Sequence, residues 1–222
     1  MKRLYFVVEG FTEREFVNNT LLPYFVSKEI YDVRAVEITT SKGHKGGFVN
    51  YEHLKNDVDN FLKSEKDIIV TTFVDFFKIP TSVPNYHQLV TKSNIDDKLE
   101  LLESGMFKSI NDYRFLPYIQ KHEFEALLFS AKKGFELMYD DNHILEELNA
   151  VIDQYDNPED INTRPEFAPS KRLRNILDSR GEKYDKVAEG NLIAEELGIE
   201  LIMSKCPRFR IWIEKLEALV KS

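Results

Sequence analysis

Two stretches of the chain are apolar without a break, and each runs into a carboxylate. Leu4-Tyr5-Phe6-Val7-Val8 leads to Glu9, and Ile68-Ile69-Val70-Thr71-Thr72-Phe73-Val74 leads to Asp75. Continuous β-branched and aromatic runs of this length suit strands covered on both faces, as in a parallel sheet. Val33 to Ile38 reads as a strand between them. Phe16, Val17, Thr20, Leu21, Tyr24 and Phe25 recur at helical spacing and predict a helix from Thr12 to about Lys28. Thr12 is its expected N-cap, Gly10 supplies the sharp turn before it, and Pro23 should kink it near Leu22. Leu54, Val58, Phe61 and Leu62 place an amphipathic helix over Tyr51 to Ser64, and Ile95, Leu99, Leu102 and Met106 predict another from Asn94 to Ser109.

Arg114 to Gln120 reads as a third core strand, weakened or moved to an edge by Pro117. Beyond Ala131 the pattern is helical. A polar, proline-containing connection spans Asp156 to Pro169, and a helix follows from Ser170. Another covers Lys183 to Leu197 and stops at Gly198. The last, Pro207 to Leu219, carries Phe209, Trp212, Ile213, Leu216 and Leu219 as a core stripe. The expected fold is α/β, a central mostly parallel sheet with helices on both faces and a helical C-terminal part. Residues 1–130 form the α/β core, and 131–222 a helical extension packed on it as a single compact unit.

Composition narrows the classes. The chain has 222 residues, 42% hydrophobic and 31% charged, with a formal net charge of −8. A domain that grips long stretches of duplex by itself is usually basic, so any nucleic-acid role must rest on a local patch or a partner. The single cysteine, Cys206, excludes an internal disulfide and a cysteine-based metal cluster within one chain. No apolar run approaches the ~20 residues of a membrane-spanning helix. Glu9 interrupts the first apolar run before it resembles a signal peptide. The expected location is cytoplasmic.

The candidate chemistry lies at the strand ends. Open α/β sheets place their sites at the carboxyl edge. Adjacent strands lie ~4.8 Å apart, so neighbouring strands would bring Glu9 and Asp75 to one edge, close enough to share an ion. Two carboxylates that close must hold a cation or keep a proton. Glu13 falls in the first helical turn after Glu9. A third polar cluster, Lys121-His122-Glu123-Phe124-Glu125, follows the third strand. His122, Glu123 and Glu125 offer ligands, a base or an orienting hydrogen bond, and Lys121 or His122 could stabilise charge or shuttle a proton. Hard divalent cations take such oxygen donors. A ligand at Asp75 should stay partly uncovered; an acid there that only caps the next turn need not. Lys42-Gly43-His44-Lys45-Gly46-Gly47 reads either as a phosphate cradle, using backbone N–H groups with Lys42 and Lys45, or as a solvated loop. Lys171, Arg172 and Arg174 open a helix with positive charge, against the helix dipole, and are candidates for phosphate contacts.

These segments resemble a bacterial family, the domain of unknown function 4276, described as related to Toprim-type nuclease domains of the overcoming-lysogenization-defect class. The shared residues are Val8-Glu9-Gly10-Phe11-Thr12-Glu13, Val74-Asp75-Phe76-Phe77-Lys78-Ile79-Pro80 and Gln120 through Phe129. They continue with Pro169-Ser170-Lys171-Arg172-Leu173, Tyr184-Asp185-Lys186, and Cys206-Pro207-Arg208-Phe209 with Trp212. The resemblance implies a Toprim-like fold in which Glu9 and Asp75 bind Mg²⁺ or Mn²⁺. The second acid of the Toprim Asp-x-Asp is replaced by Phe77, which leaves Glu13, Glu123 or Glu125 to supply it. It also implies a metal-dependent nuclease, a hydrolase in a defence or DNA-transaction system, with nucleic acid as substrate and an ATPase from a neighbouring gene as partner. The alternative is a non-catalytic interaction module that regulates such an ATPase.

Overall fold

The computed structural model describes residues 2–41, 44–161 and 165–222. Its centre is the parallel sheet that the apolar runs predict. β1 (Arg3–Val8) is followed by α1 (Phe11–Phe16), a π turn (Val17–Leu21) and α2 (Leu22–Ser27). Then come β2 (Val33–Glu37), the small strands β3 (Thr39–Ser41) and β4 (His44–Lys45), α3 (Tyr51–Ser64), β5 (Ile68–Asp75) and α4 (Ile95–Ile110). β6 (Phe115–Leu116) and β7 (Ile119–Gln120) complete the sheet. Its order is β2-β1-β5-β6 with β7 also on β5, and every pairing is parallel. The remaining helices are α5 (Glu125–Leu128), α6 (Lys133–Met138), α7 (Asn142–Gln154), α8 (Pro169–Asp178), α9 (Ala188–Leu197), α10 (Ile199–Lys205) and α11 (Pro207–Lys221).

Strand alternation divides the core in two. Tyr5, Val7, Ile68, Val70 and Val74 face α3 and α4. Leu4, Phe6, Val8, Ile69 and Phe73 face α1, α2 and the helices after residue 124. Helices therefore cover both faces, and the second face carries most of them. Period two puts Asp75 in phase with Phe73, on the face that the C-terminal helices cover.

Several local expectations change. Pro23 does not break its helix: a π turn absorbs it, with Leu22 N–H donating to Val17 O five residues back. Gly10, not Thr12, is the N-cap, and Thr12 is buried inside the first turn. Gly10 has φ −164°, extended backbone open to any residue. Residues 183–187 lie outside the helix, the last two in a turn, because Asp185 Oδ1 accepts from the N–H groups of Val187 and Ala188 and starts α9 only at Ala188. Helix α10 was not foreseen. In α11, Val220 is buried in place of Leu219. Among the described residues no helix is long and apolar enough to cross a membrane.

Pro117 splits the third strand, and two threonines repair the break. Thr72 Oγ1 accepts from Tyr118 N–H and donates to Tyr118 O, each at 2.8 Å. Thr71 Oγ1 donates to Leu116 O at 2.6 Å and accepts from Trp212 Nε1 at 2.9 Å. Trp212 in turn stacks on Tyr118 at 4.0 Å, which ties α11 to the sheet. Thr72→Val keeps the shape but leaves two buried backbone groups unpaired. It should cost about 1–3 kcal/mol, read from the midpoint of urea unfolding; an unchanged midpoint would show that the gap is filled another way.

Buried Glu159 holds the start of α11 by accepting from Arg208 N–H and Phe209 N–H at 2.9 and 3.1 Å. Burial pushes its carboxyl from 4.5 up to about 7, against the pull of those two N–H groups. Its folded-state pKa is raised, so the native chain holds a proton that the unfolded chain releases. That contribution is present below about pH 4.5 and lost as pH rises through about 7. Glu159→Gln should flatten this segment of the stability–pH profile, measured by urea unfolding at pH 5 and 7.5. An unaltered slope would assign it to other groups.

Candidate functional site

The site forms where β1 and β5 end side by side. β1 pairs with β5 up to Val8 opposite Phe73, so the next acids, Glu9 and Asp75, reach the same edge. Glu9 Oε2 accepts from Asp75 N–H at 3.1 Å. Glu13 enters from the first turn of α1, and Glu125 from the start of α5. These acids gather around a residue that local pattern did not single out. Lys186 Nζ lies 3.2 Å from Glu13 Oε1, 3.6 Å from Glu125 Oε2 and 3.8 Å from Asp75 Oδ2. Its ammonium also sits 5.9 Å from the centre of the Phe124 ring. The only sequence signal for it was its place in Tyr184-Asp185-Lys186, to which no role was attached.

One ammonium meets three carboxylates, and Glu9 lies beside Asp75 without a cation of its own in reach among the described residues, so the charges do not balance. Burial, then repulsion from Glu13, raises the pKa of Glu9. Burial raises Asp75 well above its usual value despite the pull of Lys186. Burial also raises Glu125. For Lys186 burial alone would lower the pKa, but Asp75, Glu125 and Glu13 outweigh it and hold the pKa well above the ordinary lysine value. The cluster binds protons or a cation more readily than separate acids do.

Asp75 is buried, at 8% exposure, and not partly uncovered. The reason is that Oδ1 also accepts from Phe124 N–H at 3.0 Å, which pins the turn after β7 over it. Glu123 stays outside the cluster: its two oxygens accept from Ser170 N–H and Ser170 Oγ, both at 3.0 Å, and hold the first turn of α8. Lys121 turns away as well, into a cavity of about 390 Å³ lined by Tyr118, Arg208 and Trp212. There Asp96 and Asp160 bind its ammonium at 3.0 and 2.7 Å. Burial and then Lys121 lower the pKa of His122 to about 4, so its ring is neutral at pH 7.

The glycine loop is docked against the same edge by groups that a phosphate cradle would need free. Gly46 N–H donates to Ile38 O and Gly47 N–H to Glu9 O, at 2.9 and 2.7 Å. Both glycines take left-handed backbone, φ 90° and 84°, and a Cβ on Gly46 would come 3.2 Å from Glu37 Oε2. Lys45 is exposed on β4, while Lys42 lies outside the described residues. Lys171 and Arg174 are exposed on α8. Arg172 is engaged with Phe167 O and Tyr155 Oη.

The donor set is one that a hard divalent ion accepts: oxygen only, with both Glu125 oxygens buried and lacking a hydrogen-bond donor. With the Lys186 ammonium at the centre, no three acidic, histidine or cysteine side chains among the described residues are disposed to hold an ion. An ion would enter this cluster only as Lys186 withdraws.

No curated protein matches the chain. It is similar to the C-terminal region of the OLD protein of Xanthomonas campestris pv. campestris in two solved structures. For the one phased with iodine the identity is 14%, over 100% of this chain and 97% of that one, with a TM-score of 0.46. For the one phased with platinum it is 15%, over 98% and 96%, with a TM-score of 0.41. A family model described as "Domain of unknown function (DUF4276)" matches residues 8–217, nearly the whole chain, and the protein belongs to that family.

Proposed function

We propose that the chain is a phosphoryl-transfer enzyme dependent on Mg²⁺ or Mn²⁺, a nuclease that works with a partner ATPase in a defence or DNA-transaction system. One observation carries this reading: Glu13, Asp75 and Glu125, from three separate segments, converge on the Lys186 ammonium at the carboxyl edge of a parallel sheet, with Glu9 bonded to Asp75 N–H beside them. These four acids would hold the ion, which supplies Lewis acidity and a more acidic bound water. Lys186 keeps about a third of its side chain exposed, so it has a path outward toward a phosphate oxygen. Once turned outward, an ammonium in solvent stays charged at pH 7 through the ordinary basicity of lysine. Lys171 and Arg174 on α8 and Lys45 on β4 are free to meet backbone phosphates. Glu123 acts beneath them, by fixing the first turn of α8.

A second reading has one observation in its favour. The Lys186 ammonium already compensates the acids, as it would in a non-catalytic module that regulates an ATPase. Cleavage assays on single-stranded DNA, duplex DNA and RNA in Mg²⁺, Mn²⁺ or EDTA separate the two. Metal-dependent cleavage that Glu9→Gln abolishes supports the enzyme. Absence of cleavage on all three, with and without the neighbouring gene product, supports the module.

A further inference from the structure

The exposed aromatic rings differ between the two edges of the sheet. At the carboxyl edge, Phe11 opens α1 just after Glu9 and is 46% exposed, with the Arg14 guanidinium 4.3 Å from its centre. Phe77, two residues past Asp75, is half-buried, with Lys78 Nζ 5.2 Å from its centre. Phe167 precedes α8 and is 43% exposed, with Arg172 at 5.4 Å. Each ring belongs to a segment fixed to the acid cluster or its neighbours. Phe11 lies between Glu9 and Glu13; Phe77 N–H donates to His122 O at 2.9 Å; α8 is held by Glu123. Lys78, next to Phe77, sits at φ 60°, a left-handed conformation that costs a non-glycine residue energy. At the amino edge Tyr31, Phe107 and Tyr113 are also exposed, and among the described residues none has a cation over its ring.

We infer that the three rings form a stacking platform for an unpaired nucleic-acid strand, and that the substrate of the proposed nuclease is single-stranded at the site. This inference rests on the nuclease reading for the identity of the site. A phenyl ring backed by a cation on one face leaves the other to a base, and every base has a π face, so binding of this kind tolerates any sequence. The charge distribution points the same way. Duplex binding depends on neutralising many phosphates, which a chain of net charge −8 with acids at its site edge is ill-suited to do. Stacking supplies affinity that needs few phosphate contacts. The bases of a duplex are already stacked on one another and cannot use the rings.

Fluorescence anisotropy in EDTA tests this without catalysis, using a labelled 20-nucleotide single strand, as DNA and as RNA, and the same DNA as duplex. The single strands should bind at least tenfold more tightly than the duplex. Phe11→Ala, Phe77→Ala and Phe167→Ala should each weaken single-strand binding by roughly tenfold, and the Trp variants should retain it. Tyr113→Ala, at the far edge, should change nothing. Unchanged melting temperatures of the exposed-site variants Phe11→Ala and Phe167→Ala would show that lost binding is not lost folding. Duplex binding as tight as single-strand binding, no binding by the native chain, or Phe→Ala variants that bind normally would each overturn the platform. Cleavage that survives in those variants would leave the nuclease reading standing. Ring-dependent binding without cleavage in any metal would overturn the nuclease and keep the platform.

Discussion

Lys186→Met should lower stability at pH 7.5 by about 2–4 kcal/mol, below the ~3–5 kcal/mol typical of breaking a fully buried pair because the lysine is 31% exposed. For a chain of this length the melting temperature should fall by roughly 4–16 °C. Methionine keeps most of the aliphatic stem and removes only the charge, so the loss measures the acids left without a cation. Its pH dependence follows from Glu9, Asp75 and Glu125, whose folded-state pKa values are raised above the ordinary carboxylate range. The native state then holds protons that the unfolded state releases. The deficit should shrink as pH falls from 7.5 toward 5 and grow as pH rises. Millimolar Mg²⁺ should recover part of it, because an ion that binds only the folded state stabilises that state. Calorimetry at pH 5.5 and 7.5, with and without Mg²⁺, reads all three effects. A loss independent of both pH and Mg²⁺ would mean that Lys186 contributes through its stem alone.

Lys186 also marks the limit of what the sequence conveys. Glu9 and Asp75 were legible because each ends an unbroken apolar run, and two such runs pair in parallel with their last residues at one edge. The choice among Glu13, Glu123 and Glu125 was not, because it depends on the turn after β7. Phe124 N–H binds Asp75, so Glu125 swings inward while Glu123 meets α8. Lys186 follows Glu9 by more than 170 residues and sits in a turn that Asp185 shapes. No periodicity marks it, and only tertiary packing on the Phe73 face brings it to the acids. Lys121 misled for the opposite reason. It stands beside strand-end acids in sequence, yet Asp96 on α4 and Asp160 claim it first. Pro117 was read correctly as a weak point of the third strand. The remedy, side-chain bonds from Thr71 and Thr72, lay in a different strand.

Asp75→Asn and Asp75→Ala, compared, should separate the two tasks of that carboxylate. Asparagine keeps Oδ1, so it still accepts from Phe124 N–H, and it removes one negative charge from a cluster with three acids in excess. Without metal its melting temperature should stay within about 2–4 °C of the native value, a change of no more than about 1 kcal/mol for a chain of this length. Alanine leaves Phe124 N–H buried without an acceptor, at a cost of about 1–3 kcal/mol. Both variants should lose the Mg²⁺-induced rise in melting temperature. Both should lose cleavage by a factor on the order of 10²–10⁴, the equivalent of several kcal/mol of transition-state stabilisation. The stability difference between the variants thus reports the turn, and their shared loss reports the ion. If Asp75→Asn melts as low as Asp75→Ala, the charge itself holds the turn. If Asp75→Asn keeps both the Mg²⁺ response and cleavage, Asp75 serves the turn alone, and Glu9, Glu13 and Glu125 are left to hold any ion.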